Sequence, residues 1–188
     1  MSTGRAVWWS VGVVAATVLL LWLLGRPFIC TCGTVSLWHG DINTAEDSQQ
    51  LFDWYSFSHV LHGFLFYWLL WLLGRRMDVL RPVRRRFVLA LAAECIWEVI
   101  ENTPFIINRY REATIALGYM GDSIINSTMD IGCMMIGFLL AWRLPVWVTV
   151  LLALASEVIM AIAIRDNLTL NIVMLLWPID AVRTWQGG

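Results

Sequence analysis

From Ala6 to Leu24 the chain runs without a single charged side chain. As a helix rising about 1.5 Å per residue, this stretch crosses most of a ~30 Å hydrocarbon core. It ends in Leu24-Gly25-Arg26-Pro27, without the small-residue cleavage site of a secretory signal, and so reads as an uncleaved spanning helix. Comparable apolar runs follow at 57–73, 87–107, 122–142 and 144–164. These predict an all-α polytopic membrane helix bundle of five transmembrane helices, forming a single integral-membrane domain over 1–188. A tail at 168–182 is apolar but interrupted by Pro178. It fits a half-span or an interfacial helix, and a sixth crossing stays open.

Composition agrees. The 188 residues are 59% hydrophobic and 14% charged, where a soluble domain carries about 25% charged residues. Mean hydropathy is +0.68, so disorder is excluded along with a water-soluble globule. Net charge is -1 and the basic residues crowd one short loop, which argues against a nucleic-acid partner. Twelve Trp suit membrane interfaces; Trp38, Trp54 and Tyr55 predict that the long 26–56 loop lies on the membrane surface.

All 13 basic residues are Arg, and Arg75, Arg76, Arg81, Arg84, Arg85 and Arg86 lie together between the second and third spans. By the positive-inside rule that loop is cytoplasmic, as is the N-terminus. A second loop carries Arg109, Arg111 and Glu112 toward Gly121. Gly63, Gly132 and Gly137 are expected to be close-packing positions between helices. The Trp and Phe residues of the second span, such as Phe64, Phe66, Trp68 and Trp71, are expected to face lipid or lie at the interface. Cys30 and Cys32 are expected in a loop turn before Gly33, with a metal or redox role as the alternatives; a Cys-x-Cys disulfide would close a very small ring.

Eight ionisable residues fall within the predicted spans: His59, His62, Glu94, Glu98, Glu101, Asp122, Asp130 and Glu157. A mid-membrane acid costs about 2.5–3.5 kcal/mol on insertion scales, so these groups cannot all face lipid. Spacing gathers them. At about 100° per residue, Glu94, Glu98 and Glu101 share one helix face, as do Asp122, Asn126 and Asp130. His59 and His62 sit on adjacent turns of one face. The orientation set by Arg places nearly all of them in the outer leaflet, which predicts a polar pocket open to the periplasm.

Imidazoles and carboxylates are ligands for zinc, manganese or iron. The expectation is a divalent metal (Zn or Mn) held by His59, His62, Glu98 and Asp122. Glu101 or Asp130 would be the general base, and Arg109, Arg111 and Asn126 would bind an anionic substrate. The alternative is a satisfied structural network, in which Glu101 pairs with Arg109 or Arg111, His59 with Asp53, and Glu94 with the Arg loop. Glu157 stands alone on its span.

The stretches CTCGTVSLWHGDINTAEDSQQLFDWYSFSHVLHGFLFYW (Cys30 to Trp68) and ECIWEVIENTPFIINRYREATIALGYMGDSIINSTMDIG (Glu94 to Gly132) resemble an uncharacterised family of bacterial multi-pass inner-membrane proteins. The resemblance covers nearly the whole chain and implies the inner membrane of a Gram-negative cell, with no activity attached. More loosely, His62, Glu98 or Glu101, Arg109 or Arg111, and Asp122 with Asn126 follow the order seen in VanZ-like membrane proteins. The Arg-to-Asp gap is longer here, and Asp130 is additional. That resemblance implies an envelope-related role. The resulting expectation is a periplasm-facing, metal-dependent hydrolase or transferase acting on a membrane lipid or lipid-linked envelope component. The alternative is a non-enzymatic protein: a proton-coupled or small-molecule carrier, or an envelope assembly factor.

Overall fold

The structure is a computed structural model and describes residues 1–114 and 118–187. Its helices in chain order are α1 (Thr3–Leu23), α2 (Ser56–Gly74), α3 (Val83–Glu101), α4 (Pro104–Ala113), α5 (Ile124–Arg143), α6 (Val146–Ile164), α7 (Leu168–Leu176) and α8 (Asp180–Gly187). Among the described residues there is no β-sheet; the one bridge pairs Trp38 with Phe52. Four helices, α1, α2, α5 and α6, are long and apolar enough to cross a membrane. α3 matches them in length but opens on Arg84, Arg85 and Arg86 and carries Glu94, Glu98 and Glu101.

The third apolar run does not continue to 107. α3 stops at Glu101, and the Thr103 hydroxyl accepts the Ile106 N–H as the N-cap of α4. Pro104 explains the break. It has no N–H to continue α3, and its fixed φ suits the first turn of a new helix. Arg109 and Arg111 therefore lie on a helix, where a loop was expected.

Between lipid-exposed helices the hydrophobic effect drives little, so close backbone approach decides the packing. α2 and α5 meet at two glycines. A Cβ on Gly63 would strike the Met134 carbonyl, and one on Gly137 would strike the Val60 carbonyl. Gly132 has open space beside it and plays no such part. Ala90, Leu91 and Cys95 of α3 pack with Ile131, Met134 and Phe138 of α5. Tyr67 and Phe87 meet Phe138 edge-on, with centroids 5.2 and 5.4 Å apart. Phe64 is buried beside Leu61 and Leu168, which corrects its expected lipid-facing position; Trp68 and Trp71 are exposed as expected. α6 buries only Met160 and Ile164, and its remaining apolar surface suits hydrocarbon.

The 26–55 loop is stitched onto the start of α5. Ile124 N–H donates to Pro27 O (2.8 Å), Ile125 N–H to Phe28 O (3.1 Å), and Ser123 N–H to Ser48 O (3.0 Å). First-turn amides of α5 thus find loop carbonyls, as buried helix ends require. Cys30 and Cys32 lie in the turn expected before Gly33, and a disulfide joins them. Gly33, at φ +81°, turns the chain tightly enough for its N–H to reach Cys30 O at 3.0 Å.

The tail folds as two short helices. At about 1.5 Å per residue, α7 is too short to cross a bilayer. Glu157, isolated in the sequence, has a partner: its carboxylate accepts from Leu168 N (3.0 Å) and Thr169 N (3.1 Å), capping α7.

Candidate functional site

Where α2, α3 and α5 converge, His59 lies at the centre of a carboxylate cluster. Its Nδ1 is 2.6 Å from Glu94 Oε1 and 3.4 Å from Glu98 Oε1; its Nε2 is 3.8 Å from Asp130 Oδ2. His62, one turn on, places Nδ1 3.1 Å from Glu94 Oε2. The pair faces Glu94 because i and i+3 residues stack on one helix face. The expected pairing of Glu94 with the Arg loop does not form: Arg86 lies over the Tyr67 ring instead.

Two ligand-like groups result: His59, His62 and Glu94, and His59, Glu98 and Asp130. Glu98 is fully buried, and neither of its oxygens has a hydrogen-bond partner. Asp130 is steadied from the opposite side by the Ser56 hydroxyl at 2.9 Å.

A second layer positions the acids outside the helices. Asp53 accepts the N–H groups of Tyr55 (2.7 Å) and Ser56 (3.2 Å) at the start of α2. Asn126 donates to Asp53 Oδ2 (3.2 Å) and Gln50 O (2.9 Å). Asp122 accepts from Asn102 Nδ2 (2.7 Å) and the Tyr119 hydroxyl (2.8 Å), and so belongs to neither ligand-like group. Burial raises the pKa of Asp53 and of Asp122. Burial, reinforced by the charges of Asp53 and Asp122, pushes Asp47 up to about 9.

Asp47, Asp53, Glu94, Glu98, Glu101, Asp122 and Asp130 thus crowd one region. Among the described residues no arginine forms an ion pair with any of them. Arg109 donates through Nε to Leu175 O (2.8 Å), tying α4 to α7. Arg111 donates through Nε to Tyr119 O (2.5 Å). Glu101 meets the Tyr110 hydroxyl at 3.1 Å rather than either arginine, and its second oxygen is buried without a partner.

Two cavities meet here. A small polar chamber of about 40 Å3 is lined by His59, Glu101, Asp122, Asp130, Asp47 and Tyr119. A larger groove of about 450 Å3 runs between α2, α3 and α7, with Phe66, Ile96, Trp97, Ile100, Ile172 and Leu175 in its walls. Tyr55, His59, Glu101, Tyr110 and Asn171 line both. The chamber has room for one or a few water-sized groups, since one water needs about 10–15 Å3 by this measure.

Sequence reasoning passed over Glu94 as a site residue, although its register with Glu98 and Glu101 was plain. Asn102, Tyr110 and Tyr119 gave no periodic signal; the α3–α4 break and the 118–123 turn bring them in.

The family described as "Protein of unknown function (DUF2585)" matches residues 21–188. A UPF0314 protein of Sinorhizobium fredii is 53% identical over 188 residues, covering 98% of this chain and 93% of the relative. A UPF0314 protein of Novosphingobium aromaticivorans is 55% identical over 179 residues, covering 94% and 90%. No solved structure matches. The chain accordingly belongs to the DUF2585 family of bacterial proteins, with curated relatives designated UPF0314.

Proposed function

We propose that this is a polytopic protein of the bacterial inner membrane, N-terminus in the cytoplasm, in which α3 makes a fifth crossing. Its polar chamber faces the periplasm, holds a divalent cation, and serves a hydrolase or transferase acting on a lipid or lipid-linked envelope component. The observation that carries this reading is Glu98: a fully buried carboxylate whose oxygens accept no hydrogen bond and whose one charged contact among the described residues is His59, 3.4 Å away, beside Asp130. A buried carboxylate without hydrogen bonds is costly, and proton uptake or a bound cation would offset that cost. The nitrogen and oxygen donors of His59, Glu98 and Asp130 suit Zn or Mn, and a cation there would also ease repulsion from the neighbouring acids.

Glu101 supplies the link to chemistry. Glu101 lines both the chamber and the apolar groove, and one of its oxygens has no partner, so its carboxylate can take a proton from a water attacking a group at their junction. A cation would polarise the same group and stabilise developing negative charge. The groove supports a substrate with a hydrocarbon portion, because its walls are largely apolar.

The test is metal analysis of protein purified without chelator, followed by melting in detergent with Zn²⁺ or Mn²⁺. About one bound ion per chain, and a rise in Tm with metal that Glu98→Gln abolishes, are expected. Far less than one ion with no thermal response would overturn the metal centre. For the reaction, proteoliposomes containing extracted inner-membrane lipids should show metal-dependent conversion of one lipid class by mass spectrometry. Conversion should be lost in Glu101→Gln; an unchanged lipid profile would overturn the enzymatic reading.

A further inference from the structure

Away from the chamber, Cys30 and Cys32 form a disulfide in the loop that covers α5. A cross-link over two positions gives little stabilisation by chain entropy, because the ring it closes is so short. It joins no two helices, and neighbouring hydrogen bonds already hold the loop: Pro27 and Phe28 carbonyls bind α5, and Gly33 N–H binds Cys30 O. A structural role therefore explains it poorly.

The two sulfurs differ in surroundings. Cys30 is buried and its Sγ accepts the Cys32 N–H at 3.1 Å. Cys32 is exposed, with its Sγ 3.2 Å from Thr34 Oγ1 and 3.7 Å from Glu46 Oε2. Gln50 Nε2 lies between Cys32 Sγ (3.5 Å) and Glu46 Oε2 (2.9 Å). A thiolate at Cys30 gains the N–H donor, whereas one at Cys32 meets the Glu46 carboxylate. Attack is thus easiest at the exposed Cys32, and Cys30 is the better leaving group. The other cysteines, Cys95 and Cys133, are free and buried, so they do not compete at the surface.

We propose that Cys30–Cys32 is a redox-active disulfide that exchanges with an external dithiol at this face of the protein. A thiolate of the dithiol bonds to Cys32 Sγ, the Cys30–Cys32 bond breaks, and its electron pair stays on Cys30. The dithiol's second thiolate then attacks its own sulfur in the mixed disulfide and expels Cys32. The two protons given up by the dithiol end on Cys30 and Cys32. The protein disulfide is reduced by two electrons, and the dithiol becomes a disulfide.

The experiment uses the full-length protein in detergent, equilibrated anaerobically in reduced and oxidised dithiothreitol mixtures. After acid quench, free thiols are alkylated and mapped by mass spectrometry. Labels at Cys30 and Cys32 should appear together, rising from about one-tenth to nine-tenths over roughly a hundredfold change in dithiol-to-disulfide ratio. In the native state, excess glutathione, a monothiol, should leave its mixed disulfide on Cys32. A bridge that opens only after denaturation would overturn the proposal. So would a glutathione adduct confined to Cys30. Protein isolated with both thiols free and a metal ion bound would also overturn it, in favour of a Cys30, Cys32 and Glu46 ligand set.

Discussion

Asn102 and Asp122 hold each other twice. Asn102 Nδ2 donates to Asp122 Oδ2 at 2.7 Å, and Asp122 N–H donates to Asn102 Oδ1 at the same distance. One residue ends α3 and the other precedes α5, so this pair fixes the two helices' periplasm-proposed ends against each other. Gly121, at φ +85°, allows the approach: a side chain there would run into Ile107.

Asn102→Ala should therefore lower stability by about 2–4 kcal/mol, because it removes one bond to a carboxylate and strands a buried amide. Reversible denaturation in mixed micelles measures this. A change below about 0.5 kcal/mol, the scale of an ordinary surface substitution, would contradict the assigned role.

Glu94 and Glu98 should behave oppositely in the absence of metal. Glu94 accepts from both imidazoles, so Glu94→Gln breaks a paired network and should lower Tm. Among the described residues Glu98 has no hydrogen-bond partner and only a 3.4 Å charged contact to His59, so Glu98→Gln relieves a poorly satisfied buried acid and should leave Tm unchanged or raised. Equal losses in both variants would show that Glu98 is part of the same fixed network.

Gly137→Ala should destabilise severely, since the new Cβ meets the Val60 backbone and not a movable side chain. Gly132→Ala, with nothing near it, should be neutral or slightly stabilising through helix propensity. Expression level and Tm in detergent, compared between the two, give the answer.

Stability should fall as pH rises through the weakly acidic range. Burial pushes Asp166 up to about 6, so the folded protein holds a proton there that the unfolded chain has lost. Between about pH 4 and pH 6 the native state binds more protons than the unfolded state, and stability declines with pH. Asp47, pushed up to about 9, continues that trend over about pH 4–9. Asp166→Asn should lessen the slope over about pH 4–6 alone, and Asp47→Asn should lessen it over about pH 4–9, leaving the Asp166 part. An unaltered slope in both variants would rule out these two carboxyls as the source.

The proposed orientation gives a labelling pattern. With native thiols blocked, a cysteine at Met77 should resist an impermeant maleimide in intact cells, and one at Ala45 should react. Both positions are exposed on the protein surface. The reverse pattern would put the chamber in the cytoplasm.

Apolar run length made most of the helices legible in the sequence: a stretch such as Val146–Ile164 has few alternatives in a bilayer. The clustering of His59, Glu98, Glu101 and Asp130 was legible too, because helical spacing fixes which side chains share a face. What the sequence left open depends on how faces rotate toward one another. Whether Glu94 meets Arg86 or His59 is decided by how α2 and α3 pack against each other, which the pattern along either helix does not fix. Helical spacing puts Asp122 on one face with Asp130, yet Asp122 precedes α5, and Asn102 and Tyr119, which arrive from turns with no periodicity to read, take it up.

The carboxylate of Glu157 makes α7 a passenger of α6. α6 is long and apolar enough to cross a membrane, and in the proposed topology a thicker or thinner bilayer acts on it directly by hydrophobic mismatch. The bonds from Glu157 to the amides of Leu168 and Thr169 pass any resulting tilt to the first turn of α7. Leu168 and Ile172 form one wall of the apolar groove. In that topology the width of the groove is coupled to the thickness of the membrane around it.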